Sequence, residues 1–196
     1  LSQAYDLPPA SLFLLDASSL NGATLARVRN LAMLTVQVAG YRAALMKGIK
    51  TTIITGFSQG EYASLVAAGI ATFDDVFSIT AERDRQSALE QRLGYMIAVA
   101  ASVDRLQRVL EPSSYYVSCL GSAEQVTISV TERYLTVVQQ KLREAGIQAT
   151  VLDIPQPYHT PLMLPAAERL RLALRGRKLA FRAPVVPMLS CVTYQV

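Results

Sequence analysis

Gly56-Phe57-Ser58-Gln59-Gly60 fits the spacing G-x-S-x-G at a place where that spacing has mechanical meaning. It lies between a β-branched run and a stretch of helix-forming residues. A serine at such a junction occupies a sharp, strained turn with its hydroxyl exposed. The flanking glycines leave room for strand and helix to pack closely around it. The N–H of Gln59 then opens the following helix and can donate to a developing oxyanion, helped by the local helix dipole. The chemistry is nucleophilic attack through the serine hydroxyl; an ordinary strand-to-helix turn is the alternative.

A serine hydroxyl is a poor nucleophile without a base. The one histidine is His159, in Gln156-Pro157-Tyr158-His159-Thr160-Pro161 on a Pro-rich loop. A lone histidine is commonly structural, but beside an elbow serine it becomes the default general base. Arg83 is the third residue of interest. Within residues 73–89 it follows Val76 by seven positions and Ile79 by four, along the apolar stripe of a helix, whereas Arg85 shares a face with Ser78 and Glu82. An inward guanidinium needs an anionic partner. An internal carboxylate such as Asp75 would serve. So would the carboxylate of a bound substrate, gripped by the arginine fork.

The elements that must position these residues follow from periodicity. Residues 24–47 predict a helix apolar nearly all round (Leu25, Val28, Leu31, Leu34, Val38, Leu45), as if buried on several sides, and ended by Gly48. Residues 51–55 predict a short buried strand, and residues 59–68 and 73–89 two helices. The pattern then changes. Residues 95–101 read as a strand, and Ser102 caps a short helix that carries Leu106, Val109 and Leu110 on one face and stops at Pro112. Residues 115–119 and 125–129 read as strands around a turn at Gly121. A helix with Leu135, Val138, Leu142 and Ala145 follows, entered through a capping box, Ser129-Val130-Thr131-Glu132, and closed by Gly146. Residues 148–154 supply the last strand. The order β-α-β-β-α-β is that of a ferredoxin-like unit. The expected organisation is an α/β body from residues 1–92 and 155–196 with a ferredoxin-like insert at residues 93–154. The first twenty residues predict no element.

Composition sets the outer bounds. A chain of 196 residues, 51% apolar and 17% charged, folds around a sizeable core and is not a disordered segment. No apolar run approaches the roughly 20 residues that span a bilayer. Residues 1–15 lack a positive n-region, so a retained signal peptide is not expected. Cys119 and Cys191 are the two cysteines; their separation argues against a disulfide framework or zinc site and suits a cytoplasmic location. A single histidine excludes a multi-histidine metal cluster. The net charge of +4 fits an anionic ligand or ordinary surface balance. Neither nucleic acid nor a membrane is an expected partner.

In combination and order, these segments resemble one family. Gly56-Phe57-Ser58-Gln59-Gly60-Glu61-Tyr62-Ala63, followed by Ala67-Ala68-Gly69, is similar to the nucleophile segment of malonyl-CoA:acyl carrier protein transacylases and of acyltransferase domains in polyketide and fatty acid synthases. Glu82-Arg83-Asp84-Arg85 stands where that family keeps the arginine holding the malonyl carboxylate. Tyr158-His159-Thr160-Pro161-Leu162-Met163 resembles its histidine segment. Phe181-Arg182-Ala183-Pro184-Val185-Val186-Pro187 and Ser190-Cys191-Val192-Thr193 resemble its closing motif.

The resemblance runs from about residue 24 to the last residue and implies an α/β-hydrolase-like body with a ferredoxin-like insert. It implies a ping-pong reaction in which His159 deprotonates Ser58, the acyl-serine forms from malonyl-CoA, and the phosphopantetheine thiol of an acyl carrier protein takes the acyl group. Arg83 would hold the free carboxylate, the Gln59 N–H would serve the oxyanion, and a backbone carbonyl would orient His159. CoA enters as the thioester substrate, with no cofactor expected, and the setting would be cytoplasmic fatty acid or polyketide biosynthesis.

The sequence departs from the family at several points. Nothing matches the family's early Gly-Gln-Gly loop, and the chain stops at Val196 before the segment that supplies the histidine's carbonyl partner, so it looks like a fragment cut at both ends or a divergent member. Phe57 replaces a usual histidine and makes the pocket entrance less polar, and Gly121 replaces a common asparagine. Tyr158 beside the histidine is nearer to the malonyl-selective pattern than to the branched one. Two other readings stay open: an editing acyl hydrolase or esterase using the same Ser-His pair, and a non-catalytic carrier-docking piece.

Overall fold

The computed structural model describes residues 22–196, with side chains from residue 28 onward. Residues 1–20, which predict no element, and the Leu25 side chain lie outside the described residues. In chain order the elements are α1 (Gly22–Met46), β1 (Ile54–Thr55), α2 (Gln59–Ala67), α3 (Phe73–Ser87), β2 (Tyr95–Val99), α4 (Val103–Val109), β3 (Tyr116–Ser122), β4 (Gln125–Val130), α5 (Glu132–Glu144), β5 (Ala149–Val151), α6 (Leu164–Leu174) and β6 (Met188–Leu189). They fall into two units, one comprising the chain up to Arg85 together with Leu172–Val196, the other Gln86–Arg171. Among the described residues no helix is long and apolar enough to cross a membrane.

In the first unit the described side chains of α1 bury a single stripe. Val28, Leu31, Leu34 and Val38 are inside, and Leu34 and Val38 pack with Val76, Ala71 and the apolar residues of α2 and α3. Met33, Val36, Leu45 and Met46 are exposed, which corrects the expectation of burial on several sides. Only residues spaced by three and four positions share the face that meets α2 and α3. The predicted strand at residues 51–55 shrinks to Ile54 and Thr55, because these are the residues that find a parallel partner, Met188 and Leu189 of β6. Helix α2 stops at Gly69, whose φ of 75° lets its own N–H reach the Val66 carbonyl (3.1 Å) and that of Ile70 reach Leu65 (2.9 Å). Thr72 and Asp75 start α3 reciprocally: the Asp75 N–H donates to the Thr72 hydroxyl (3.1 Å), which donates to the Asp75 carboxylate (2.7 Å).

The second unit is built on an antiparallel sheet of order β3-β4-β2-β5, the ferredoxin-like arrangement that the element order predicts. Ile97, Val99, Val126, Ile128 and Val130 of the sheet pack with Leu106 and Leu110 beside α4 and with Val138 and Leu142 of α5. Each fully buried Leu or Ile in this cluster stabilises the fold by about 1.5–3 kcal/mol. Ser102 caps α4 as expected, accepting from the Arg105 N–H at 3.3 Å. Two local expectations are corrected. The capping box at Ser129 is absent: Ser129 belongs to β4, where its hydroxyl bonds that of Ser118 (2.7 Å), and Thr131 is the N-cap residue. Gly121 is not the turn either. It lies in β3 at a register shift between Leu120 and Ser122, and the chain reverses at Ala123 and Glu124. A Cβ at Gly121 would come within 3.2 Å of the Gln125 carbonyl, so the glycine serves a bulge. The insert expected at residues 93–154 lies within a larger unit, Gln86–Arg171.

Candidate active site

Between the end of β1 and the start of α2 only Gly56, Phe57 and Ser58 remain to reverse the chain. Ser58 has φ 53° and ψ −111°. A non-glycine residue holds such left-handed backbone at a cost on the order of 1–3 kcal/mol, and surrounding bonds must fix it. Here the Gly60 N–H donates to the Phe57 carbonyl (2.9 Å) and the Glu61 N–H to the Ser58 carbonyl (3.1 Å). The turn closes tightly on Gly56, where a Cβ would sit 2.2 Å from the Gly60 carbonyl carbon and 2.5 Å from the Ser64 hydroxyl oxygen. A Cβ on Gly60 would meet nothing within 4 Å, so only the first of the two flanking glycines is sterically required. Ser58 is exposed, and its hydroxyl is not spent on capping α2. Gln59 opens α2, where backbone N–H groups have no carbonyl partner within the helix and the dipole is positive. Phe57 is 58% exposed and, with Tyr41, Ile54, Thr55, Gly56 and Ser64, lines an open groove of about 440 Å³.

Arg83 stands beside this turn. Its Nη1–H donates to Oε1 of Gln59, and its Nε–H and Nη2–H both donate to Oδ1 of Asp84 (3.0 and 2.6 Å). Its guanidinium carbon lies 5.0 Å from the centre of the Tyr62 ring, in cation–π range. Asn30 of α1 completes the arrangement: its Nδ2 donates to Asp84 Oδ1 (3.1 Å) and its carbonyl accepts from Gln59 Nε2 (3.3 Å). The structure therefore brings Ser58, Gln59 and Arg83 together. It also corrects the internal partner of Arg83, which is Asp84 and not Asp75. A helical line through Val76, Thr80 and Asp84, all buried, was the available signal, but two of its three residues are polar. Arg85 pairs with Glu82 (2.6 Å), as the shared face predicts, and Arg177 joins from the C-terminal segment (2.9 Å).

Glu61 ties the elbow helix to the closing motif. Its Oε1 accepts from the Cys191 N–H and from the Ser190 hydroxyl (3.3 Å). The Cys191 thiol lies 3.7 Å from the Thr55 hydroxyl. In the sequence Glu61 stands out only as part of the segment that follows Gly60.

Tyr158 and His159 belong to the second unit. His159 is exposed with φ 61°, also left-handed. Its loop is pinned from within by the Thr160 hydroxyl on the Pro157 carbonyl (2.7 Å) and the Tyr158 N–H on the Gln156 carbonyl (2.9 Å). Gln156, 4% exposed, fastens the loop to the segment after α3. Its Nε2 reaches the carbonyls of Ser87, Glu90 and Gln91 (3.4, 3.1 and 3.3 Å), and its Oε1 accepts from the Leu93 N–H (3.2 Å). Nothing in the sequence marks this residue beyond a long amide between two prolines. Burial pushes the thiol of Cys119, on β3, above its ordinary range.

Comparison with known proteins agrees with this geometry. The acyl transferase domain family matches residues 14–195. The malonyl CoA-acyl carrier protein transacylase of Bacillus subtilis is 31% identical over 171 residues, covering 83% of this chain and 42% of that protein. Kotanin synthase of Aspergillus niger is 30% identical over 170 residues, 84% of this chain but 10% of the synthase. Among solved structures, the acyltransferase domain of an iterative polyketide synthase in enediyne biosynthesis superposes with a TM-score of 0.76 at 29% identity, over 86% of this chain and 45% of that one. FabD from Acinetobacter baumannii gives 0.77 at 26% identity, over 96% and 61%. The chain thus spans about a tenth of the curated synthase and under half of the curated bacterial enzyme. These likenesses give it the α/β fold of acyltransferases, with the ferredoxin-like sheet described above. With a family match over nearly its whole length and an elbow serine of the required geometry, the chain belongs to the acyl transferase domain family.

Proposed function

We propose that the chain carries malonyl, or a related carboxyacyl group, from CoA to an acyl carrier protein through an acyl-serine. His159 takes the proton of Ser58 as Oγ attacks the thioester carbonyl. The tetrahedral intermediate places its oxyanion at the Gln59 N–H and collapses with loss of CoA thiolate, which recovers the proton. The phosphopantetheine thiol of the carrier then attacks the acyl-serine in the same way, and Ser58 is regenerated. Arg83 holds the free carboxylate of the acyl group, with Phe57 and Tyr158 lining the pocket. CoA is substrate, and no cofactor takes part.

The observation that carries this reading is the strained Ser58 with Arg83 bonded to the next residue, Gln59. A carboxylate-binding cation beside an acyl-accepting hydroxyl suits a carboxyacyl group and is of no use to a general esterase. The test is the intact mass of the chain after brief incubation with malonyl-CoA, beside a Ser58→Ala control. A malonyl adduct confined to the unsubstituted chain is the expected result. Steady CoA release without an adduct or a carrier protein would replace transfer by hydrolysis. No adduct and no release would leave the carrier-docking reading.

A further inference from the structure

The Arg83 guanidinium carries its own counterion. Two of its N–H groups converge on Oδ1 of Asp84, whose side chain is 2% exposed, while that of Arg83 is 20% exposed. Asn30 donates to the same oxygen and so stabilises the carboxylate as an anion. An incoming substrate carboxylate therefore approaches an ion pair and not an isolated cation. It is drawn by Arg83 and repelled by Asp84, whose charge is almost wholly shielded from water. A neutral acyl group, such as acetyl, feels neither effect strongly.

We propose that Asp84 sets the acyl selectivity of this chain by attenuating Arg83, narrowing its preference for acyl groups that end in a free carboxylate over short neutral ones. Asp84 acts through Arg83 and is thus a positioning residue. The proposal rests on the reading of Arg83 as the carboxylate-binding group.

The test compares initial rates of Ser58 acylation by malonyl-CoA and by acetyl-CoA, followed by intact mass on the full chain. Asp84→Asn keeps the oxygen that accepts from Arg83 and Asn30 but removes the charge; it should raise the malonyl:acetyl ratio about tenfold, through a lower KM for malonyl-CoA alone. Asp84→Ala removes the charge together with the acceptor and should raise the ratio as well. A merely structural role would slow both donors alike and leave the ratio unmoved. An unchanged or falling ratio in Asp84→Asn overturns the proposal. If that variant does not fold, an unchanged or falling ratio in Asp84→Ala overturns it instead. Arg83→Ala separates the two levels. If it leaves the ratio unchanged, the carboxylate reading itself has failed. If it lowers the ratio while Asp84→Asn does not raise it, only the role of Asp84 falls.

Discussion

Gly56 and Gly60 bracket the same serine and look interchangeable in the sequence, yet their surroundings give opposite expectations. Gly56→Ala drives a Cβ into the Gly60 backbone at 2.2 Å, an overpacking that neither helix nor strand can relieve. It should destabilise the chain by about 1–3 kcal/mol and abolish acylation of Ser58. Gly60→Ala meets open space inside the first turn of α2 and should leave stability unchanged or raise it by about 0.5–1 kcal/mol. Thermal melts of the two variants side by side check both signs. The turn at Ser58 is legible because its geometry is local: a strand, a helix and the residues between them decide it. The contact of Asp84 with Asn30 is not, because the two lie more than fifty positions apart and no periodicity encodes their meeting.

At the scale of elements, the expected helices lie within about two residues of α1 to α5, while α6 has no counterpart in the sequence pattern; the expected strands overreach at residues 51–55, 95–101 and 148–154 and fall short of β3 and β4. Helical bonds close within four residues, so the sequence holds both partners. A strand exists only where another strand answers it, which is why residues 51–55 contract to the pair facing β6 and residues 148–154 to the three facing β2. Ser129 shows the same competition, since the ladder claimed a residue whose side chain suits a helix cap. The histidine loop depends on a contact of this long-range kind. Gln156→Leu keeps the volume but leaves the Leu93 N–H and the carbonyls after α3 without their amide. It should lower stability by about 1–3 kcal/mol and slow acylation, and Gln156→Glu, which sets a buried carboxylate oxygen against the carbonyls of Ser87, Glu90 and Gln91, should lose at least as much. Denaturant unfolding and acylation rates on both variants measure it.

For the whole molecule, the element order revealed the ferredoxin-like sheet but not how far its unit extends. The periodic pattern ends with the last strand. The unit continues to Arg171 because side chains anchor its flanks: Arg169 pairs with Glu90 (2.6 Å) and donates to the Gln86 carbonyl (3.2 Å), and Gln156 holds residues 87–93. Residues 86–171 enclose their own buried cluster and are numerous enough to fold alone. Expressed separately, they should melt in one cooperative transition; residues 93–154 alone, lacking those anchors, should melt at lower temperature. Circular dichroism on the two segments distinguishes the boundaries. The bulges of β3 carry a further consequence. Among the described residues this strand pairs only with β4, and it exposes Tyr116, Val117 and Leu120, a composition that invites a neighbouring molecule to add a strand. Register shifts at Ser118 and Gly121 break its free row of N–H and C=O groups into pieces too short to template such an addition. The irregularity that misled the reading of Gly121 as a turn is thus a guard against edge-to-edge aggregation.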